Sequence, residues 1–315
     1  MVNTAKIIIA IIGLLIAFEA ALISYFYRTT MIRKSVDQKQ VIKMSGVDWE
    51  KYYPMMAERR SFMLNQSHED VWTESQDGLR LHGTYFKGPE GPKIVICFHG
   101  YSSQGITDYT SISNYYLTHG FRMLLVDERA HGQSEGKYVG FGCMDRYDAL
   151  QWITWTINKF GDSINIFLHG ISMGGATVLM ASGLDLPPQV KGIISDCAFT
   201  SAAEMFKYVL NTKYHIPSFP IIQISNIINK RFAGYGMSDC NSAIEVRKAK
   251  VPILLIHGEN DEFVPLSMGE EIYENIASKK MKLIVKGAAH SESYYKETKA
   301  YEEALDSFIN EILNK

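Results

Sequence analysis

Residues 163–182 read SINIFLHGISMGGATVLMAS, and this stretch constrains the fold more than any other in the chain. Its first half is an apolar run suited to a buried strand, and MGGATVLMAS suits a helix. Between them Gly170-Ile171-Ser172-Met173-Gly174 matches G-x-S-x-G. The bare pattern recurs by chance. A strand directly before it and a helix directly after it are the context that a nucleophile elbow requires. Such a turn holds the serine at the carboxyl end of a strand. Small residues on either side let the backbone pass close to its neighbours, and the helix N-terminus behind it favours developing negative charge. The plain alternative is a strand-to-helix turn with an incidental serine.

The same rhythm continues along the chain from Asp70. VWTES and LRLHGTYFK flank Gln76-Asp77-Gly78, and Asp-Gly between alternating runs predicts a hairpin. KIVICFHG (93–100), FRMLLVD (121–127), SINIFLHG (163–170), VKGIISD (190–196), VPILLIHG (251–258) and MKLIVKG (281–287) read as strands. Helices are expected over 143–160, 173–182 and from about 297 to 314. Alternation with short links predicts an α/β protein with a mostly parallel, doubly wound sheet. One connection breaks the pattern. More than fifty residues separate the strands near 190–196 and 251–257, with Phe206, Tyr208, Tyr214, Phe219, Phe232 and Tyr235 among them. That length predicts an inserted cap over about 200–248. The alternative is a set of packing helices with no role at a site.

At 315 residues, 46% hydrophobic and 21% charged, the chain can bury a substantial core. A net charge of −2 and the lack of a basic stripe exclude a nucleic-acid partner. The four cysteines, Cys97, Cys143, Cys197 and Cys240, fit no CxxC or zinc spacing and read as free core thiols. No HExxH, EF-hand loop or phosphate-cradling glycine loop is present, so no metal or cofactor is expected.

Residues 7–27 read IIIAIIGLLIAFEAALISYFY, about 30 Å as a helix and long enough to cross a bilayer. Glu19 costs ~3 kcal/mol at mid-span, and each Ile, Leu or Phe returns about 0.3–0.6 kcal/mol, so insertion wins. Tyr25, Phe26, Tyr27 and Arg28 suit the interface. The rival is a cleaved leader, against which Phe18 and Glu19 spoil the small-x-small cleavage pattern. The expected organisation is a single-pass anchor over 1–27, a stalk over 28–69 and a catalytic domain over 70–315, at a cell membrane. Arg28, Arg33 and Lys34 after the span favour a cytoplasmic domain by the positive-inside rule, while many single N-terminal anchors place it outside. The side stays open.

A serine hydroxyl needs a base. Of nine histidines, six precede glycine and read as turn residues; His290, in GAAHSES past the last strand, does not. It is the candidate base. The base needs an acid to fix its tautomer. HGENDEFVP after VPILLI offers Asp261, with Glu259 and Glu262 as competitors. The order Ser172, Asp261, His290 fits a hydrolase of this kind. An oxyanion hole takes two backbone donors: Met173, after the serine, and one from the loop after KIVICFHG, Tyr101 or else Ser102. Asp127, Arg129 and His131 cluster after a strand and read as a structural turn, with substrate contact as the alternative.

DGLRLHG, CFHGYSS, VDERAHGQSEGK, GISMGG, ISDCAFTS, HGENDEFVP and GAAHSES, in that order over about 70–315, resemble the α/β-hydrolase superfamily. Within it they are similar to bacterial membrane-anchored hydrolases of the serine-aminopeptidase and prolyl-oligopeptidase-like groupings, and to BEM46-like relatives. Ala130 departs from the glycine that these hydrolases often carry. The resemblance implies the α/β-hydrolase fold and catalytic roles for Ser172, Asp261 and His290. It does not carry a substrate.

The expected activity is hydrolysis of a carboxylic ester or thioester of a small-molecule or lipid-like acyl substrate, through an acyl-enzyme on Ser172. Amide hydrolysis near a peptide terminus is the alternative. A membrane-tethered binding protein with a vestigial triad is a third. Oligomeric state is open.

Overall fold

In the computed structural model, which describes residues 2–34 and 45–314, eight strands form one sheet in the order β1-β2-β4-β3-β5-β6-β7-β8. β1 (His68–Glu74) and β2 (Arg80–Phe86) make the antiparallel hairpin around Asp77-Gly78, and β2 runs antiparallel to β4 (Arg122–Val126). From there β4, β3 (Lys93–Phe98), β5 (Asn165–Ile171), β6 (Val190–Asp196), β7 (Ile253–Gly258) and β8 (Lys280–Val285) are all parallel. The central strands are apolar throughout because both faces are covered. On one face Ile94, Ile96, Ile166, Leu168 and Ile193 meet one core cluster; on the other Val95, Cys97, Phe167 and Ile194 meet a second. This is the α/β-hydrolase fold.

Helix α1 (Val2–Thr30) leads the chain and α2 (Tyr53–Leu64) follows. Between β3 and β4 lie α3 (Gly105–Tyr109) and α4 (Ser113–Thr118), each about one turn and too short for periodicity to announce. α5 (Asp145–Phe160) packs against α6 (Met173–Ala181), every residue of which is buried. The connection from β6 to β7 holds α7 (Ala202–Thr212), α8 (Ile221–Ala233) and α9 (Ser242–Glu245). α7 and α8 contact each other and pack through Phe206, Val209 and Ile222 on the core that contains Phe141 and Met173. α10 (Leu266–Asn275) joins β7 to β8, and α11 (Ser293–Lys296) precedes the last helix, α12 (Thr298–Leu313).

The described parts of 28–69, expected as a stalk, lie against the catalytic domain. Ile32 bridges Tyr138, the Arg33 amide donates to the Lys137 carbonyl at 2.8 Å, and Met31 is fully buried. Further on, Lys51 and Tyr52 both bond the Glu292 carboxylate, at 2.8 and 2.7 Å, and Arg59 donates to the Ser111 carbonyl at 2.9 Å. Lys51, Tyr52 and Arg59 thus find buried partners distant in sequence. All four cysteines are free and buried.

Candidate active site

β5 ends at Ile171, and Ser172 sits at φ 54°, ψ −112°, a left-handed conformation that side chains avoid. Two backbone bonds hold it there: its N–H donates to the Asp196 carbonyl at 2.8 Å, and its carbonyl accepts from Ala176 N–H at 3.0 Å. The flanking glycines are needed for space. A Cβ on Gly170 would lie 2.0 Å from the Gly174 carbonyl oxygen, and one on Gly174 would lie 1.9 Å from that of Phe98. The elbow is therefore pressed against the end of β3.

His290 lies in the loop after β8. Its Nε2 is 2.9 Å from Ser172 Oγ and its Nδ1 is 2.7 Å from Asp261 Oδ2. With the carboxylate on Nδ1, that nitrogen carries the proton and Nε2 presents its lone pair to the serine hydroxyl. Asp261 sits in the turn after β7, where its Oδ1 accepts the Phe263 and Val264 N–H groups at 2.9 and 2.8 Å. Its rivals are engaged elsewhere: Glu259 accepts from Gly287 N–H at 3.0 Å, and the exposed Glu262 pairs with Lys213 at 2.6 Å. Burial opposes charge on both partners of the His290–Asp261 pair. Their mutual attraction prevails, so the carboxyl is held below its usual range and the imidazole is raised well above its own.

This geometry can be set beside known proteins. The sequence pattern of the family described as serine aminopeptidase, S33 matches residues 90–235. YqkD of Bacillus subtilis is 26% identical over 98% of both chains, and Rv2307c of Mycobacterium tuberculosis 26% over 77% of this chain and 79% of that one. The Pyrococcus furiosus esterase Pf2001 superposes with a TM-score of 0.66 at 20% identity, covering 79% of this chain and 92% of the esterase. The chain shares the α/β-hydrolase fold with that esterase and resembles the serine aminopeptidase, S33 family over residues 90–235.

Two backbone donors are expected beside Ser172. The N–H groups of Tyr101 and Met173 donate to no group among the described residues. The Ser102 N–H, the competing candidate, is taken by His131 Nε2 at 3.2 Å. His131 Nδ1 lies 3.0 Å from the Arg129 carbonyl, so it carries the proton, and burial lowers the ring to about 3 and keeps it neutral. His131 thus positions the loop that carries Tyr101, a role that reading DERAHG as a plain turn did not assign. The other two members of that cluster are structural. Asp127 Oδ2 meets His82 at 2.8 Å, and Arg129 binds Asp148 at 2.6 and 2.7 Å while holding the exposed Asp77. Ala130 adopts φ 61°, the left-handed region where glycine is at ease.

Two further residues lie at the site without a sequence signal. Glu292 accepts from Ala289 N–H at 2.9 Å as well as from Lys51 and Tyr52, tying the His290 loop to the segment before α2. Cys197, at φ 47°, lies beside His290 and contacts Ser291 Oγ at 3.4 Å. Its sulfur and the Asp261 and His290 ligand atoms lie within 4.8 Å of one another. A metal ion there would have to displace the 2.7 Å His290–Asp261 hydrogen bond. A separate groove of about 480 Å³, lined by Lys87, Pro92, Arg122 and Phe160, lies at the amino ends of the parallel strands, on the edge opposite Ser172.

Proposed function

We propose that this hydrolase cleaves a carboxylic ester or thioester through an acyl-enzyme on Ser172. The observation that carries the reading is the hydrogen-bonded row from Ser172 Oγ through His290 to Asp261, at 2.9 and 2.7 Å. His290 Nε2 takes the hydroxyl proton as Oγ attacks the acyl carbon. Met173 and Tyr101 N–H groups receive the oxyanion. The imidazolium, stabilised by Asp261, gives its proton to the leaving alkoxide or thiolate. Water, deprotonated by His290, then releases the carboxylic acid and restores Ser172. The esterases among the structural neighbours support an ester over other acyl compounds.

The serine-aminopeptidase family match favours a second reading, amide hydrolysis near a peptide terminus by the same groups. α1 is long and apolar enough to cross a membrane, and we read it as an uncleaved anchor. Burial of Ile23, Phe26, Tyr27 and Met31 in the domain supports retention of the helix.

The test is a rate panel on the full-length protein in detergent, beside Ser172→Ala. It holds p-nitrophenyl esters from acetate to palmitate, a palmitoyl thioester and an aminoacyl-p-nitroanilide. The expected result is ester turnover that is lost in Ser172→Ala. Faster anilide turnover would move the assignment to the peptidase reading. No turnover of anything by folded protein would refute both.

A further inference from the structure

The cap helix α8 is apolar on two sides. Ile221, Ile222 and Ser225 face the core, as a packed helix requires. A stripe beside that face carries Ile224, Ile227 and Phe232 exposed, while Ile228 between them is half-buried against the core. On that stripe Ile227 is 67% exposed and Phe232 61%, and Phe219 just before the helix is 72% exposed. Among the described residues nothing covers them. The one cation on the stripe, Arg231, stands over the Phe232 ring at 5.8 Å and has no carboxylate in ion-pair range among the described residues.

The neighbour of α8 is the end of α1. Tyr27 donates from its hydroxyl to Asn229 of α8 at 3.2 Å, and Phe26 packs edge-on against Phe206 of α7 at 5.3 Å. The hydrocarbon core takes about twenty residues of a helix, and tyrosines mark its boundary. In α1 that boundary falls at Tyr25 and Tyr27, and Tyr27 bonds α8. Any bilayer that α1 crosses therefore has its surface at α8. The same helix end touches the site. Tyr101, the proposed oxyanion donor in the loop after β3, sends its hydroxyl to the Thr29 and Thr30 carbonyls at 3.1 and 3.0 Å, and stacks on Phe141 at 5.3 Å.

We infer that the exposed face of α8, with Phe219, is seated in the lipid–water interface beside α1. Its apolar side chains enter the acyl region and Arg231 meets lipid phosphate. The inference rests on reading α1 as an anchor. It deepens the proposed function by naming the substrate class: a membrane-resident amphiphile whose ester lies near the headgroups, so that it reaches Ser172 without crossing bulk water.

The experiment uses full-length protein in vesicles of phosphatidylcholine and phosphatidylglycerol at a ratio of three to one. Because all four native cysteines are buried, an environment-sensitive thiol dye attaches selectively at Ile227→Cys, Phe232→Cys, Tyr25→Cys or Lys299→Cys, the last on α12 across the sheet. Lipids carrying a nitroxide near the headgroup should quench the labels at 25, 227 and 232 by about half or more and leave that at 299 unchanged. Quenching at 25 with none at 227 and 232 overturns the inference, and no quenching at 25 removes its premise. In a second arm, Ile227→Asp with Phe232→Asp should lower turnover of a long-chain ester held in the vesicles at least tenfold and leave aqueous p-nitrophenyl acetate turnover unchanged. Equal loss on both substrates, or loss on neither, counts against the inference. If neither substrate turns over even in the parent protein, the esterase reading fails and the quenching still decides the docking.

Discussion

Replacing Gly174 by alanine isolates the close approach on which the elbow depends. The new Cβ would start 1.9 Å from the Phe98 carbonyl oxygen and 2.8 Å from that of His99, both backbone atoms with no side-chain freedom to yield. Contacts under 3.0 Å are not tolerated, so the first turn of α6 and the end of β3 must part by about 1 Å. That motion opens the gap between Ser172 and the Tyr101 amide, which follows β3. A misplacement of ~1 Å in a reacting constellation costs about 100-fold in rate. The overpacking itself costs about 1–3 kcal/mol, which lowers Tm by roughly 3–10 °C in a domain of this size. The assay pairs p-nitrophenyl ester kcat with the rate of fluorophosphonate labelling at Ser172 and a thermal melt. Gly91→Ala is the control, since a Cβ there would lie an ordinary 3.8 Å from the Gly120 carbonyl oxygen. A Gly174→Ala protein that keeps the parent's kcat and Tm would refute the argument.

Three more outcomes follow from the geometry. The Asp261 carboxylate overcomes burial and raises His290 well above its ordinary value, and only the neutral ring is a base. The acid limb of kcat/KM is therefore expected above pH 6.5, and initial rates placing it below 6 would contradict this. The protonated pair adds stability that is full below the unfolded value near 6.5 and is lost as pH rises through the folded one, so Tm should fall where kcat/KM climbs. Arg129→Met leaves Asp148 buried without its partner, and burial already pushes that carboxyl up to about 7 with the guanidinium present. The loss should be about 3 kcal/mol, the low end for a broken buried pair because Asp148 can take up a proton, and a urea midpoint measures it. His131→Phe removes the acceptor for Ser102 N–H and frees the Tyr101 loop; kcat should fall about tenfold with little change in KM, a loss smaller than that of an oxyanion donor itself.

The strands were legible because a sheet covered on both faces demands long apolar β-branched runs, and each such run from KIVICF to MKLIV lies in a strand. The turn at Ser172 was legible for a related reason. Backbones that approach as closely as Gly174 and Phe98 leave glycine as the only residue, and that requirement is written locally. His290 stood apart from the turn histidines for want of a following glycine and by its place after the last strand.

Other features are not local. Asp261, Glu259 and Glu262 are equivalent acids in sequence. They part company only because the loop aims Asp261 Oδ1 at two amides and Oδ2 at His290, while Lys213 and Gly287 engage the others. Tyr101 and Ser102 are separated by a histidine about thirty residues away. Glu292 holds the His290 loop through Lys51 and Tyr52, more than 200 residues distant, and the end of α1 reaches Asn229 across a similar span. Where the chain is extended, where it turns too tightly for a side chain, and which helix is apolar enough for lipid each depend on a short run of neighbours and can be read from residues alone. Which polar groups share one site, and which face of α8 meets the end of α1, depend on directions in space that chain-distant contacts impose.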